Sequence, residues 1–203
     1  APSHYTMLMG LLPHSNRNQI FASEAYRDEF TRYNDRLGID GIEFRRLLPS
    51  IYLPTFLRNE LGYTTHAMTS MPVLNEHTAI NRDFDTYRSM PAHNDLAAMI
   101  DAMSFEDRPS FWLLNAGETH YPYVLPGDDA AEWPRMPGAH GVLAAIDDAT
   151  AGHRDFFGED ELAQLRDRQV RAARHADGVI ERLFDLAPPD TWIVVTSDHG
   201  ELF

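Results

Sequence analysis

The sequence predicts an α/β layered fold with a mainly parallel sheet. Three observations point there. The short apolar runs FWLLNA (Phe111–Ala116) and WIVV (Trp192–Val195) read as buried strands, and helix-patterned stretches alternate with the short strands. Ionisable residues follow each run, in the position where ligands gather beyond the carboxyl ends of parallel strands.

Along the chain, Pro2 suits a first helical turn, because its missing N–H would be unpaired there, and Ser3–Met9 reads as a short helix closed by Gly10. A loop with Pro13, His14 and Asn16 follows, then a helix over Ala22–Tyr33. Leu53, Phe56, Leu57 and Leu61 fall near helical spacing, so Leu53–Leu61 is a helix with Gly62 as its stop. Tyr63–Met68 is a short strand, Asn94–Met103 a helix, and Pro109 a break before the strand at Phe111. A polar loop with His120, Pro122, Pro126, Gly127 and Pro134 comes next. From Glu159 to Leu186 an apolar stripe of Leu162, Leu165, Ala173, Ala176, Ile180 and Leu183 marks the longest helix, ended by Pro188 and Pro189. Trp192–Val195 is the last strand, by its β-branched run. There is no internal repeat, low-complexity tract or linker, so residues 1–203 read as a single domain or part of one.

Composition limits the chemistry. With 203 residues, 43% apolar and 11% aromatic, the chain has ample core material. It has no cysteine, so a metal must be held by oxygen and imidazole. No apolar run reaches the roughly 20 residues that span a bilayer, and the opening Ala-Pro-Ser is not a signal segment. The first residue is not Met, so the chain reads as beginning within a longer product and the compartment stays open; nothing fixes an oligomeric state. Net charge is −14 and all 17 basic residues are Arg, which argues against a nucleic-acid surface. That charge does not exclude an anionic substrate. Salt screens charges beyond about 8 Å, whereas a unit pair at 4 Å is worth roughly 4 kcal/mol in a protein-like medium, so local groups decide. Arg166, Arg168, Arg171 and Arg174 are interleaved with acids and read as a solvated face.

The stretch TSDHGE places Asp198 and His199 side by side where the last apolar run ends. A hard oxygen and an imidazole nitrogen together suit a divalent cation of the calcium, manganese or zinc type once further ligands join. Successive strand residues point to opposite faces, so both can reach one ion only if the chain bends after Ser197, which Gly200 permits. The other reading has Asp198 capping the next turn and His199 at the surface; spacing alone leaves both open. His120, between Thr119 and Pro122, reads by itself as a loop histidine.

Four stretches, in order, resemble the sulfatase family of the alkaline phosphatase superfamily. IVVTSDHGE is similar to its metal-binding segment. APSHYTMLMGLLPH resembles the segment just after its nucleophile, commonly Cys-x-Pro-Ser-Arg followed by a helix and a Thr-Gly-Leu-Tyr-Pro-like turn. LPTFLRNELGYTT is similar to the next helix and strand, and FWLLNAGETHYPY to the strand and loop that bring a histidine to the anionic group. ARHADGVIERLFDL, with Asp177 and Ile180, also looks like the family. No single stretch is diagnostic; together they cover nearly the whole chain.

The resemblance implies an alkaline-phosphatase-like three-layer sandwich, incomplete in this chain. It places the nucleophile just before Ala1 and the first two metal-binding aspartates further upstream, so the 203-residue chain alone is expected to be inactive. It implies that Asp198 and His199 are metal ligands, that His120 contacts or protonates the scissile ester, and that His4 occupies the site where the family has Arg. The implied activity is metal-dependent hydrolysis of a small-molecule or glycan sulfate ester through a covalent intermediate, with calcium as cofactor. A phosphate ester with a Ser or Thr nucleophile and manganese or zinc is the alternative, and a non-catalytic member of the fold is a third reading. Two departures bear on the choice. His4 lacks the guanidinium fork and alters the pattern that marks a cysteine for conversion to formylglycine. After Tyr63 the family's Gly-Lys-Trp-His is replaced by THAMTSMPVLNEH, and no lysine exists to contact sulfate; His66 and His77 receive no role.

Overall fold

Three strands, β1 (Thr64–Thr69), β2 (Thr86–Ser89) and β3 (Ser110–Asn115), form a parallel sheet in the order β2-β1-β3. The structure is a computed structural model and describes residues 2–10, 38, 40, 51–129 and 158–200. Among the described residues four α-helices surround the sheet: α1 (Pro2–Met9), α2 (Leu53–Leu61), α3 (Leu96–Asp101) and the 28-residue α4 (Glu159–Leu186). The expected helix at Ala22–Tyr33 lies outside the described residues.

The apolar run of β3 serves both faces of the sheet because successive side chains alternate. Phe111 and Leu113 pack with Leu8 and Met9 of α1 and with Tyr52, Leu74 and Ile80. Trp112 and Leu114 pack on the other side with Leu96, Met99 and Ile100 of α3 and Ala176 of α4. The result is three layers, helix on sheet on helix, with the core divided by the sheet. Burial of a side chain such as Met99 or Ile100 contributes about 1.5–3 kcal/mol.

Local signals explain the boundaries. Pro54 lies in the first turn of α2, and Gly62 closes it in the left-handed conformation at φ 72°, with Tyr63 N–H donating to the Leu57 carbonyl (3.0 Å). Glu159, Asp160 and Glu161 fill the first turn of α4, where the helix dipole favours anions, and Glu161 accepts from the Gly158 N–H (3.0 Å).

Two expectations change. β2, with the sequence TYRS, was not expected; it is four residues long and mostly exposed, so no apolar pattern announces it. Conversely, Trp192–Val195 is not a buried strand: Trp192, Val194 and Val195 are 94%, 82% and 66% exposed, and the segment pairs with no strand among the described residues. β-branched residues favour extended backbone, but a strand exists only when a neighbour supplies the ladder.

His66, left without a role by the sequence, ties the sheet together. Midway along β1, it stands opposite Thr86 of β2 and Trp112 of β3; Nδ1 bonds the Thr86 hydroxyl (2.8 Å) and the ring stacks on Trp112 at 4.3 Å. Burial lowers its pKa, with Asp85 and Glu106 opposing. The unfolded chain therefore takes up this proton more readily, and stability should fall as pH drops from about 6.5 through the lowered folded value. Urea unfolding of the wild type and of His66→Gln between pH 7.5 and 5.5 checks this. The variant should show the shallower pH dependence, by less than about 1 kcal/mol because the ring is partly exposed.

Candidate active site

A cavity of about 300 Å³ opens beyond the carboxyl end of β3. Asn115, Ala116, Thr119 and His120 line it from the strand end and the loop that follows. Gln169, Val170 and Ala173 come from α4, Met71 from the segment after β1, and Ser197, Asp198 and His199 from the tail. Three residues singled out in the sequence, His120, Asp198 and His199, thus share one cavity although nearly 80 positions separate the first from the others.

The tail bends at Asp198, and the Ser197 hydroxyl donates to the His199 carbonyl across the bend. This turn brings Asp198 Oδ2 and His199 Nε2 within 3.8 Å. Ligands about 2.0–2.4 Å from a shared ion span a similar gap. His199 Nδ1 donates to the Gly200 carbonyl (3.0 Å), leaving Nε2 as the nitrogen with a free lone pair. The pair thus suits part of a divalent-cation shell, an anionic oxygen beside a neutral imidazole. Among the described residues, no group of three or more His, Asp or Glu is arranged to hold a metal ion.

His4 sits behind this pair and does not line the cavity. It is 4% exposed, with Nδ1 3.8 Å from Asp198 Oδ2, and Asn115 Nδ2 donates to its Nε2 (3.1 Å). Accepting that bond leaves the proton on Nδ1, facing the carboxylate. Burial pushes the His4 pKa below its ordinary value; His199 adds to the effect and Asp198 opposes it. His4 Nδ1 and Asn115 Oδ1 are buried without a hydrogen-bond partner among the described residues, so polar capacity beside Asp198 is unused.

His120 stands on an exposed turn in which its own N–H donates to the Gly117 carbonyl (3.0 Å) and the Tyr123 N–H donates back to His120 (2.8 Å). Its Nδ1 donates to the Tyr121 carbonyl (2.6 Å), which leaves Nε2 as the ring nitrogen able to exchange a proton with a ligand. Tyr123, 1% exposed and at φ 63°, packs with Leu165 and Ala172 of α4 and pins the loop to that helix. Arg171 adds a forked bond to Asp128, so it is not merely a solvated charge as the sequence suggested. Although partial burial raises the Asp128 pKa, Arg171, the Leu125 N–H and Arg168 together outweigh it and hold the carboxyl below its usual range.

Sequence reasoning missed Asn115, Gln169 and Met71 as cavity residues. Asn115 carried a usable signal, a polar side chain closing an apolar strand at the carboxyl edge of a parallel sheet. Gln169 and Met71 carried none.

Fold and site together define a layered α/β protein whose ligand pocket lies at the carboxyl edge of a parallel sheet. The family model described as Sulfatase matches residues 1–203, and the chain belongs to the sulfatase family. Membership supports hydrolase chemistry of the sulfatase and alkaline phosphatase kind, in a family that generally uses a divalent metal. No curated protein and no solved structure matches the chain.

Proposed function

We propose that the protein is a metal-dependent sulfuric ester hydrolase acting on a small-molecule or glycan sulfate through a covalent intermediate. The observation that carries this reading is the convergence of Asp198, His199 and His120 on one cavity at the carboxyl edge of the sheet. Asp198 Oδ2 and His199 Nε2 would supply two of the ligands of a divalent cation, calcium in the sulfate reading. When bound, such an ion neutralises charge on the ester oxygens and favours the ionised form of a nucleophile. The nucleophile in this reading is the residue preceding Ala1, at the amino end of α1. His4 supports Asp198 from behind. His120 Nε2 hydrogen-bonds the sulfuryl oxygens and delivers a proton to the leaving oxygen, while the Tyr121 carbonyl keeps Nδ1 protonated.

A phosphoester hydrolase or transferase is the second reading, favoured by His4 in place of an arginine fork and by the absence of lysine. The test is the full-length protein, stripped with chelator and reloaded with calcium, manganese or zinc, assayed on an aryl sulfate and an aryl phosphate. Sulfate hydrolysis that disappears on chelation and returns with calcium is expected. Preferential phosphate turnover supports the second reading, and turnover of neither marks a non-catalytic member of the fold.

A further inference from the structure

We propose that Glu118 is a positioning residue for His120: it locks the histidine loop to the amino end of α3, and thereby sets where the His120 ring meets the substrate. This rests on the role given to His120 above.

Glu118 is fully buried at 0% exposure, two residues before an exposed histidine. Its Oε1 accepts the Leu96 N–H at 2.7 Å. Leu96 is the first residue of α3, whose leading N–H groups have no partner inside the helix. The local cap does not serve it, since Asp95 makes no side-chain capping bond and its Oδ2 accepts from the Ala92 N–H instead (2.9 Å). A carboxylate from 22 residues away therefore performs a capping task that a neighbour ordinarily performs.

Two more ties join the same segments. A Cβ on Gly117 would come within 2.2 Å of the His93 carbonyl oxygen, so the two backbones are in direct contact. Beyond the histidine, Asn94 Nδ2 donates to the Val124 carbonyl (3.2 Å). Residues 93–96 thus grip the loop on both sides of His120. Among the described residues the ring's one hydrogen bond is to its neighbour's carbonyl, so the backbone decides its location.

Energetics favour a positional role. The second Glu118 oxygen, Oε2, is buried with no hydrogen-bond partner among the described residues. A carboxylate so placed is more costly than an apolar side chain of similar volume. What the carboxylate supplies, and an apolar side chain cannot, is a directional bond fixing loop to helix. Such anchoring matters to turnover because a displacement of about 1 Å can cost on the order of a hundredfold in rate.

The experiment uses the full-length protein and an aryl sulfate, with Glu118→Ala, Glu118→Gln, His120→Ala and the Glu118→Ala/His120→Ala double variant. Glu118→Ala should lower kcat about tenfold or more while KM shifts by less than about threefold. Glu118→Gln keeps an acceptor for Leu96 and should stay within about threefold of wild type. In the His120→Ala background, Glu118→Ala should cost less than about twofold further, because there is no ring left to position. An equal loss with and without His120, or none in either, overturns the inference while leaving the role of His120 intact. An unchanged kcat in His120→Ala removes that role, and this inference with it. Should Glu118→Ala fail to fold, Asn94→Ala cuts the tie on the other side. It should show the same dependence on His120, and a loss independent of His120 overturns the proposal.

Discussion

Asp198→Ala in the full-length protein should reduce sulfate-ester turnover by about a thousandfold or more, equivalent to roughly 4 kcal/mol of transition-state stabilisation. Asp198 Oδ2 faces both His199 Nε2 and His4 Nδ1 at 3.8 Å, so one substitution removes the proposed anionic ligand and the carboxylate opposite the buried imidazole. Excess calcium should not restore the rate. Asp198→Asn keeps the shape but loses the charge, and should bind metal at least tenfold more weakly in a titration followed by calorimetry. A variant retaining more than a tenth of wild-type turnover at saturating metal would remove Asp198 from the mechanism.

Gly117→Ala should destabilise the protein by about 3 kcal/mol, because the added methyl meets a backbone oxygen that cannot rotate away. For a chain of this size that corresponds to a fall in Tm of about 6–12 °C. The constraint is space, since this glycine is not at positive φ. Relief requires the turn after β3 to move off residues 93–96, and this turn carries both Glu118 and His120. Turnover at a temperature where the variant remains folded should therefore drop as well. A melting curve within about a degree of wild type would show that the two backbones separate freely.

The layered architecture was legible in the sequence because its causes are local. The run FWLLN is apolar at every position but the last, the pattern of a strand covered on both faces, and the stripe along Glu159–Leu186 repeats at helical period. Asp198, His199 and His120, which line the cavity, were named from their position after apolar runs and from the resemblance of the flanking stretches. Their grouping was not. The strand expected at Trp192–Val195 also failed, since the local pattern carries no information about whether a neighbouring strand is available. β2 failed in the opposite sense: a neighbour was available, and the pattern did not announce it.

By itself, then, the sequence determined the helices among the described residues and that a parallel sheet lies between helices. Local backbone preferences and periodic burial are properties of neighbouring residues, and neighbouring residues are what a sequence displays. The tertiary structure alone decided that His4 lies behind Asp198, that Asn115 joins them, and that Glu118 reaches 22 positions back to cap α3. Those contacts depend on how the layers stack and where the loop after β3 crosses residues 93–96, and no spacing along the chain encodes that crossing.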